Sequence, residues 1–259
     1  MRRAVTAGVL VFVVGLGIGL IAGRARWRTA PAPAAVPVQS AGEFDVFRQK
    51  YGPGKNTERE EEWFIRDYFQ DRRGGTFVDV GANHYQKSSK TYYLETALGW
   101  SGLAIEPQQE FAEGFLKNRP RTKFLPFFIS DVSNEKARLF VIKQWPEVSS
   151  SNAEFVRKFG KPDEVREVPT LTLNDLLDAE KLSRIDFLSI DVELHEPQVL
   201  KGFDIQRFKP SLVCIEGLLP VRQPILNYFA EHGYVLVGKY MWVDLENLYF
   251  APRESITQP

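Results

Sequence analysis

Residues Thr76 to Asn83 read Thr-Phe-Val-Asp-Val-Gly-Ala-Asn, an apolar run that stops at a glycine. The first five residues predict a short strand, because β-branched and aromatic side chains favour extended backbone in a sheet. Gly81 then predicts a tight turn beside a bound ligand, at a point where a side chain would collide with it. The stretch therefore predicts a strand whose carboxyl end faces a binding site.

Similar short apolar runs follow along the chain and alternate with stretches of helical pattern. Strands are predicted at 76–80, 103–105, 124–129, 138–142, 168–173, 185–190, 212–215, 234–237 and 247–250. A first helix is predicted after the capping box of Thr57 and Glu60 and ends before Gly74, and further helices are predicted at 108–118, 173–179, 196–201 and 223–232. Strands that alternate with helices form a mostly parallel sheet covered on both faces. The sequence thus predicts an α/β fold, closed by a terminal antiparallel strand pair.

The first 42 residues predict a membrane anchor and a linker. Residues 4–23 carry no charge and are long enough to cross a bilayer as one helix. A cleaved signal peptide, the alternative, has a shorter apolar run and a small-residue cleavage site. We therefore predict a single-pass N-terminal anchor over residues 1–28, an Ala/Pro-rich linker over 29–42 and one folded domain over 43–259.

Within the anchor, glycine recurs at every fourth position, at Gly15, Gly19 and Gly23. Such a glycine face lets two helices approach closely and would support a homodimer. The alternative is that glycine is simply common in membrane helices. A slight excess of arginine after the apolar run favours a cytoplasmic folded domain.

The bulk composition excludes some classes of site. The 259 residues carry 33 basic and 33 acidic side chains, which does not favour a broad nucleic-acid surface, so no nucleic-acid partner is predicted. Cys214 is the only cysteine, which rules out an intramolecular disulfide and a Cys/His metal cluster.

Four predicted strands end at or near an acidic residue: Asp79, Glu106, Asp131 and Asp191. In open α/β sheets, ligands bind outside the carboxyl ends of the strands. Glu106, about 25 residues beyond Gly81, suits both hydroxyls of a ribose, and Asp131 suits an exocyclic amine such as that of adenine. Asp79 or Asp191 suits an ammonium group. A nucleoside with a positively charged amino-acid tail has all these groups, and S-adenosylmethionine fits that description.

Three motifs resemble the FkbM-type methyltransferases in their order and spacing. They are Phe77–Asn83, Gly99–Pro107 and the stretch from Ile185 through Gly202. The resemblance covers about residues 60–250. It implies a Rossmann-like, seven-stranded class I methyltransferase sheet, with Gly81 and Asn83 beside the cofactor S-adenosylmethionine. It also implies methyl transfer to oxygen, commonly a hydroxyl of a sugar, glycan or natural product.

The chain differs from this family pattern at two places. Residues 84–86 read His-Tyr-Gln where a second glycine is usual, and Leu194 stands where glycine is common. If Tyr85 filled the adenosine pocket, the domain would be a catalytically silent membrane scaffold. A nicotinamide-dependent oxidoreductase is a further alternative, but the full G-x-G-x-x-G turn is absent.

The stretch Asp191 to Glu196 carries the candidate chemistry. Methyl transfer from a sulfonium is an in-line displacement, and a hydroxyl acceptor must also lose its proton. Glu193 and His195 are predicted near the methyl group, with His195 as the general base. The alternative for His195 is a packing role at the start of the next helix. Asp191 and Glu193 could instead bind a divalent cation that acidifies the hydroxyl.

Two further features bear on the acceptor. His84 in the first loop is a second candidate base, with simple solvent exposure as the alternative. Residues 143–167 suggest a lid or acceptor loop, with a solvated insertion as the alternative. The sequence as a whole predicts a membrane-anchored O-methyltransferase that acts on a small-molecule or glycan acceptor, with its domain in the cytoplasm, where S-adenosylmethionine is supplied.

Overall fold

The computed structural model describes residues 42–241 and 244–256. The predicted anchor and all of the linker except Gly42 lie outside these residues, so both stay predictions. Within the described part of the chain, no helix combines the length and the apolar content that crossing a membrane would need.

The described chain alternates between helices and strands as predicted. The helices are α1 Gly42–Tyr51, α2 Glu61–Phe69, α3 Tyr92–Thr96, α4 Ala112–Asn118, α5 Ala153–Arg157, α6 Leu173–Ala179, α7 Glu196–Lys201, α8 Ile205–Phe208, α9 Leu219–Glu231 and α10 Arg253–Ile256. The strands are β1 Thr76–Val80, β2 Ser101–Ile105, β3 Thr122–Leu125, β4 Phe128–Ile129, β5 Lys136–Val141, β6 Glu164–Leu171, β7 Phe187–Ile190, β8 Leu212–Glu216, β9 Tyr234–Leu236 and β10 Asn247–Pro252.

Seven strands form the main sheet in the order β3-β2-β1-β7-β8-β10-β9. All neighbours from β3 to β8 run parallel, whereas β10 runs antiparallel to both β8 and β9. This confirms the predicted Rossmann-like α/β fold with a terminal antiparallel strand. β2 lies on one side of β1 and β7 lies on the other, so the direction of the strand order reverses at β1. A crevice at such a switch point is where open α/β sheets bind their ligands.

The two faces of the sheet are buried under different helices. Val78 and Leu188 face a large aliphatic core that includes side chains of α6, α7 and α9. Phe77 and Phe187 face an aromatic core that includes Trp100 and side chains of α2. Successive side chains of a strand point to opposite faces of the sheet. Both faces are apolar because the central strands are apolar at almost every position. The central strands are thereby held firmly, and polar residues are left at their ends.

The predicted strand over 124–129 is wrong in one respect, because the chain changes sheets in the middle of it. β3 ends at Leu125, and β4 pairs with β6 in a separate three-stranded sheet of order β4-β6-β5. Pro126 has no amide hydrogen and cannot continue the ladder, and the Phe127 amide donates to the Leu125 carbonyl in a tight turn. Phe128 and Ile129 therefore belong to the second sheet and not to the main one.

Candidate active site

A cavity of about 470 Å³ opens at the carboxyl edge of the main sheet. Its walls come from the ends of β1, β2, β7 and β8 and from the loop over residues 87–90. Residues of the segment 146–159 close the opposite side. The volume lies within the range of small-molecule and cofactor sites, which is about 300–1,000 Å³.

Gly81 turns the chain at the end of β1 with a φ of +84°. A Cβ atom there would lie 1.7 Å from the Asp191 carbonyl oxygen. The predicted tight turn is present, but its closest obstacle is the backbone that follows β7, not a ligand. The Gly81 amide donates to the Ile105 carbonyl at 2.9 Å, so this turn joins the ends of three neighbouring strands.

Glu106 lies at the end of β2 and is only 4% exposed. Its two carboxylate oxygens each accept one backbone hydrogen bond, from the amides of Asn83 (3.1 Å) and Gln108 (2.9 Å). Burial raises the pKa of Glu106 to about 7, although these hydrogen bonds act to lower it. Asn83 has a left-handed φ of 46°, a conformation that asparagine tolerates better than most residues. Each oxygen keeps acceptor capacity toward the cavity, which suits a vicinal diol.

Asp79 also lines the cavity and is 5% exposed. Its Oδ2 accepts a hydrogen bond from the Thr91 hydroxyl at 2.9 Å. Burial raises the pKa of Asp79, while Lys90 and Thr91 act to lower it. The structure thus brings together six predicted cofactor or catalytic residues along one wall: Asp79, Gly81, Asn83, Glu106, Asp191 and Glu193.

The loop after β1 is held by a buried arginine that the sequence analysis did not identify. Arg119 is 1% exposed, forms an ion pair with Glu95, and donates to the carbonyls of Tyr85 (2.8 Å) and Thr91 (3.2 Å). The Tyr85 ring packs against Gly114, where a Cβ would lie 2.7 Å from it, and Tyr85 is not among the residues that line the cavity. The tyrosine therefore packs against α4 and lies outside the lining of the cavity.

Lys90 is the second functional candidate that sequence reasoning missed. It is 7% exposed, and its ammonium donates to Asp191 Oδ2 at 2.6 Å. Burial alone would lower the pKa of Lys90, but the surrounding acidic groups, Asp191 first and Glu61 after it, together outweigh burial and raise that pKa well above the usual value. Its sequence neighbourhood, Lys87-Ser-Ser-Lys90, has no periodicity that would single it out. The partners lie 101 positions apart in the sequence, which explains why the pair could not be foreseen.

Three carboxylates meet at the ends of β7 and β8. Asp191, Glu193 and Glu216 each offer one oxygen within 4.8 Å of the other two. Burial, and then the charge of Asp191, raises the pKa of both Glu193 and Glu216. Leu194 has a φ of +74°, a backbone conformation that favours glycine, and glycine is the residue that the resemblance implies there.

His195 lies behind the cavity wall. Its Nε2 and Nδ1 each lie 3.1 Å from a hydroxyl, those of Ser130 and Ser151 respectively, and its ring packs on Phe128. Burial lowers the pKa of His195 to about 4, so the ring is neutral at physiological pH. His195 is not among the cavity-lining residues, and its role as general base stays a prediction.

Two other predicted residues also lie away from the cavity lining. Asp131 is exposed, because the chain leaves the main sheet at Pro126, and its contact with adenine stays a prediction. His84 accepts hydrogen bonds at Nδ1 from the amides of Gln86 (3.1 Å) and Lys87 (3.0 Å). It therefore folds back on its own loop.

The opposite wall of the cavity is largely apolar, although Glu147 and Ser149 also belong to it. Phe128 and Leu139 of the second sheet face it, together with Val148, Phe155 and Phe159 of the predicted acceptor loop. The loop over 143–167 thus contributes directly to the cavity, which the alternative of a solvated insertion did not predict. The site presents carboxylates on one side and aromatic carbon on the other.

Comparison with known proteins places this arrangement in a family. A model described as "Methyltransferase FkbM domain" matches residues 79–236. A precorrin-6Y C5,15-methyltransferase structure from Geobacter metallireducens GS-15 is 11% identical with a TM-score of 0.38, over 76% of this chain and 88% of that chain. A METTL16 methyltransferase domain structure is 14% identical with a TM-score of 0.39, over 80% and 76%. No curated protein matches the chain. Structural likenesses this distant say nothing about the substrate.

Proposed function

Since this chain belongs to the FkbM methyltransferase family, which implies S-adenosylmethionine as methyl donor, we propose that it methylates a hydroxyl oxygen. The proposed acceptor is a small molecule or glycan that carries that hydroxyl. The main support for the proposal is the position of Glu106, a buried carboxylate that lines the cavity and is held there by hydrogen bonds from two backbone amides. The bound cofactor supplies an electrophilic methyl group on a positively charged sulfur.

The residues present fit that cofactor. Glu106 is positioned to accept from both ribose hydroxyls, as its remaining acceptor capacity allows. Asp79 and Asp191 offer carboxylates for the ammonium group at the end of the sheet where the turn at Gly81 opens. Among the described residues that line the cavity, several buried carboxylates lie beside Lys90, and their negative charge favours a positively charged sulfonium.

The acceptor is proposed to bind between the carboxylates after β7 and the apolar wall. Phe128, Phe155 and Val148 would exclude water and pack on the carbon skeleton of the acceptor. Glu193 lines the cavity and is the proposed proton acceptor for the attacking hydroxyl. His195 stays the alternative base, but it can take the proton only if the hydroxyl of Ser130 or Ser151 relays it. Positioning accounts for most of the acceleration, because the displacement must be in line.

Calorimetric titration of the full-length chain with S-adenosylhomocysteine tests the cofactor site. We expect micromolar binding, and a loss of about 1–3 kcal/mol in Glu106→Ala, as for hydrogen bonds to a charged group. Glu113→Ala, the same change on an exposed face of α4, is the matched control and should bind normally. A folded chain that binds no S-adenosylhomocysteine would favour the scaffold alternative.

We also propose the membrane arrangement from sequence alone. Residues 4–23 would anchor the chain, their glycine face would support a homodimer, and the domain would lie in the cytoplasm. The support is the uncharged length of the run and the arginine excess behind it.

A further inference from the structure

The three carboxylates at the ends of β7 and β8 are brought together by the sheet itself. Ile190 pairs with Ile215 in parallel register, so Asp191 and Glu216 leave neighbouring strands at the same level. Glu193 returns toward them because its φ of 57° reverses the backbone two residues after Asp191. Two strands and one strained turn thus fix the position of this acidic cluster, defined as Asp191, Glu193 and Glu216.

The charges around the acidic cluster do not balance. Among the described residues that line the cavity, Lys90 is the buried cation, and it contacts Asp191 Oδ2. Glu61 and Asp79 add further buried carboxylates to the same cavity. Like charges this close in a low-dielectric site are costly unless a cation or a proton is bound among them.

Glu216 gives independent evidence of a missing partner. It is 9% exposed, and its Oε2 is buried without a hydrogen-bond partner among the described residues. An unsatisfied buried acceptor costs about 1–3 kcal/mol, and more when it is charged. Glu216 lines the cavity and faces two carboxylates, so a further acceptor would not satisfy it, whereas a bound cation would.

The spacing of the oxygens suits a divalent metal ion. Oxygens that share Mg²⁺ at 2.0–2.1 Å lie at most about 4.2 Å apart, and those that share Ca²⁺ lie up to roughly 5 Å apart. The observed limit of 4.8 Å falls between these values, within reach of a small side-chain adjustment. We propose that Asp191, Glu193 and Glu216 bind a divalent cation that also coordinates the acceptor hydroxyl.

This inference rests on the proposed function and changes the roles of Glu193 and Asp191 in it. Coordination lowers the pKa of the acceptor hydroxyl, which loses its proton to water at the cavity mouth. The oxygen then forms the new C–O bond as the C–S bond breaks, and the bonding pair stays on sulfur, which becomes a neutral thioether. Glu193 acts as a ligand in this scheme and not as the base. Lys90 keeps one Asp191 oxygen, and the cation takes the other, so Asp79 is the carboxylate left for the ammonium group of the cofactor.

The test is a pair of titrations on the full-length chain after chelator treatment. One uses MnCl₂, followed by calorimetry and by electron paramagnetic resonance of free Mn²⁺; the other uses S-adenosylhomocysteine. We expect one Mn²⁺ per chain, with affinity at least tenfold weaker in Glu216→Gln and in Glu193→Gln. Both variants should still bind S-adenosylhomocysteine. Glu106→Gln is the reciprocal control, since it should weaken S-adenosylhomocysteine binding and leave Mn²⁺ binding intact.

The outcomes separate the two proposals. The metal site is overturned if no Mn²⁺ binds at millimolar concentration, or if both Gln variants bind Mn²⁺ as tightly as the unchanged chain. The proposed function still stands in that case, provided that S-adenosylhomocysteine binds normally. If the chain binds Mn²⁺, the Gln variants lose that binding, and S-adenosylhomocysteine does not bind at all, the metal site is supported and the proposed function is contradicted. Because Gln removes a charge from a crowded cluster and preserves its shape, the variants should fold, which thermal unfolding checks.

Discussion

At the scale of single residues, Glu106 makes cofactor affinity depend on pH. Burial raises the pKa of Glu106 to about 7, so a growing fraction of the carboxyl is protonated as the pH falls below that value. A protonated carboxyl accepts hydrogen bonds from ribose hydroxyls more weakly than a carboxylate does. We expect S-adenosylhomocysteine affinity to fall as the pH is lowered from 8 to 6, measured by calorimetry. In Glu106→Gln this part of the pH dependence should vanish; an identical slope in the variant would assign it to another group.

Gly81 allows a second residue-scale prediction, because the chain offers a matched control. Gly99 has a similar φ of +72° but has open space around it, whereas a Cβ on Gly81 would overlap the Asp191 carbonyl. Gly99→Ala should cost about 1–3 kcal/mol of unfolding free energy from conformation alone. Gly81→Ala should cost more and should also weaken S-adenosylhomocysteine binding. Urea unfolding measures both, and equal costs would show that the contact with Asp191 is unimportant.

At the scale of elements, the loop between β1 and α3 depends on the buried Arg119–Glu95 pair. Arg119→Met leaves the Glu95 carboxylate buried without its partner, and such a loss typically costs about 3–5 kcal/mol. Glu95→Gln with Arg119→Met should cost clearly less than the sum of the two single changes, because no unpaired charge remains. A double-mutant cycle by urea unfolding measures this coupling. Additive costs would mean that the pair contributes no coupling energy.

The main sheet was predictable because its strands have strong local signals. β1, β2, β7 and β8 are short apolar runs with a polar residue at or near their carboxyl ends, and that pattern is independent of distant contacts. The transfer of the chain from β3 to β4 was not predicted, although Pro126 marked the point. The sequence pattern predicts one strand over 124–129, whereas the run on either side of Pro126 belongs to two different strands, β3 and β4.

The same distinction separates the site residues that were found from those that were missed. Glu106 and Asp191 could be located because each directly follows a strong strand. Lys90 and Arg119 could not, because their roles depend on partners far along the chain or buried between elements. The role predicted for Asp131 assumed that the strand over 124–129 runs on in the main sheet, whereas its second part, Phe128–Ile129, belongs to the second sheet.

At the scale of the whole molecule, the prediction concerns where the domain lies relative to a membrane. An anchor over residues 4–23 should keep the full-length chain in the membrane pellet after carbonate extraction. Val13→Arg combined with Leu16→Arg should release it, since a charge at the centre of a spanning helix costs about 2.5–3.5 kcal/mol per residue. A chain that pellets equally with both arginines would not depend on this run for attachment.

The single cysteine makes the orientation of the domain measurable. Cys214 is fully buried, so the native chain should give almost no reaction with a membrane-impermeant thiol reagent. Ser255→Cys places a thiol at an exposed position in α10, away from the cavity lining. With the domain in the cytoplasm, intact cells should leave this variant unlabelled, and permeabilised cells should label it fully. Labelling of intact cells would place the domain outside, away from the cytosolic supply of S-adenosylmethionine, and would contradict the proposed orientation.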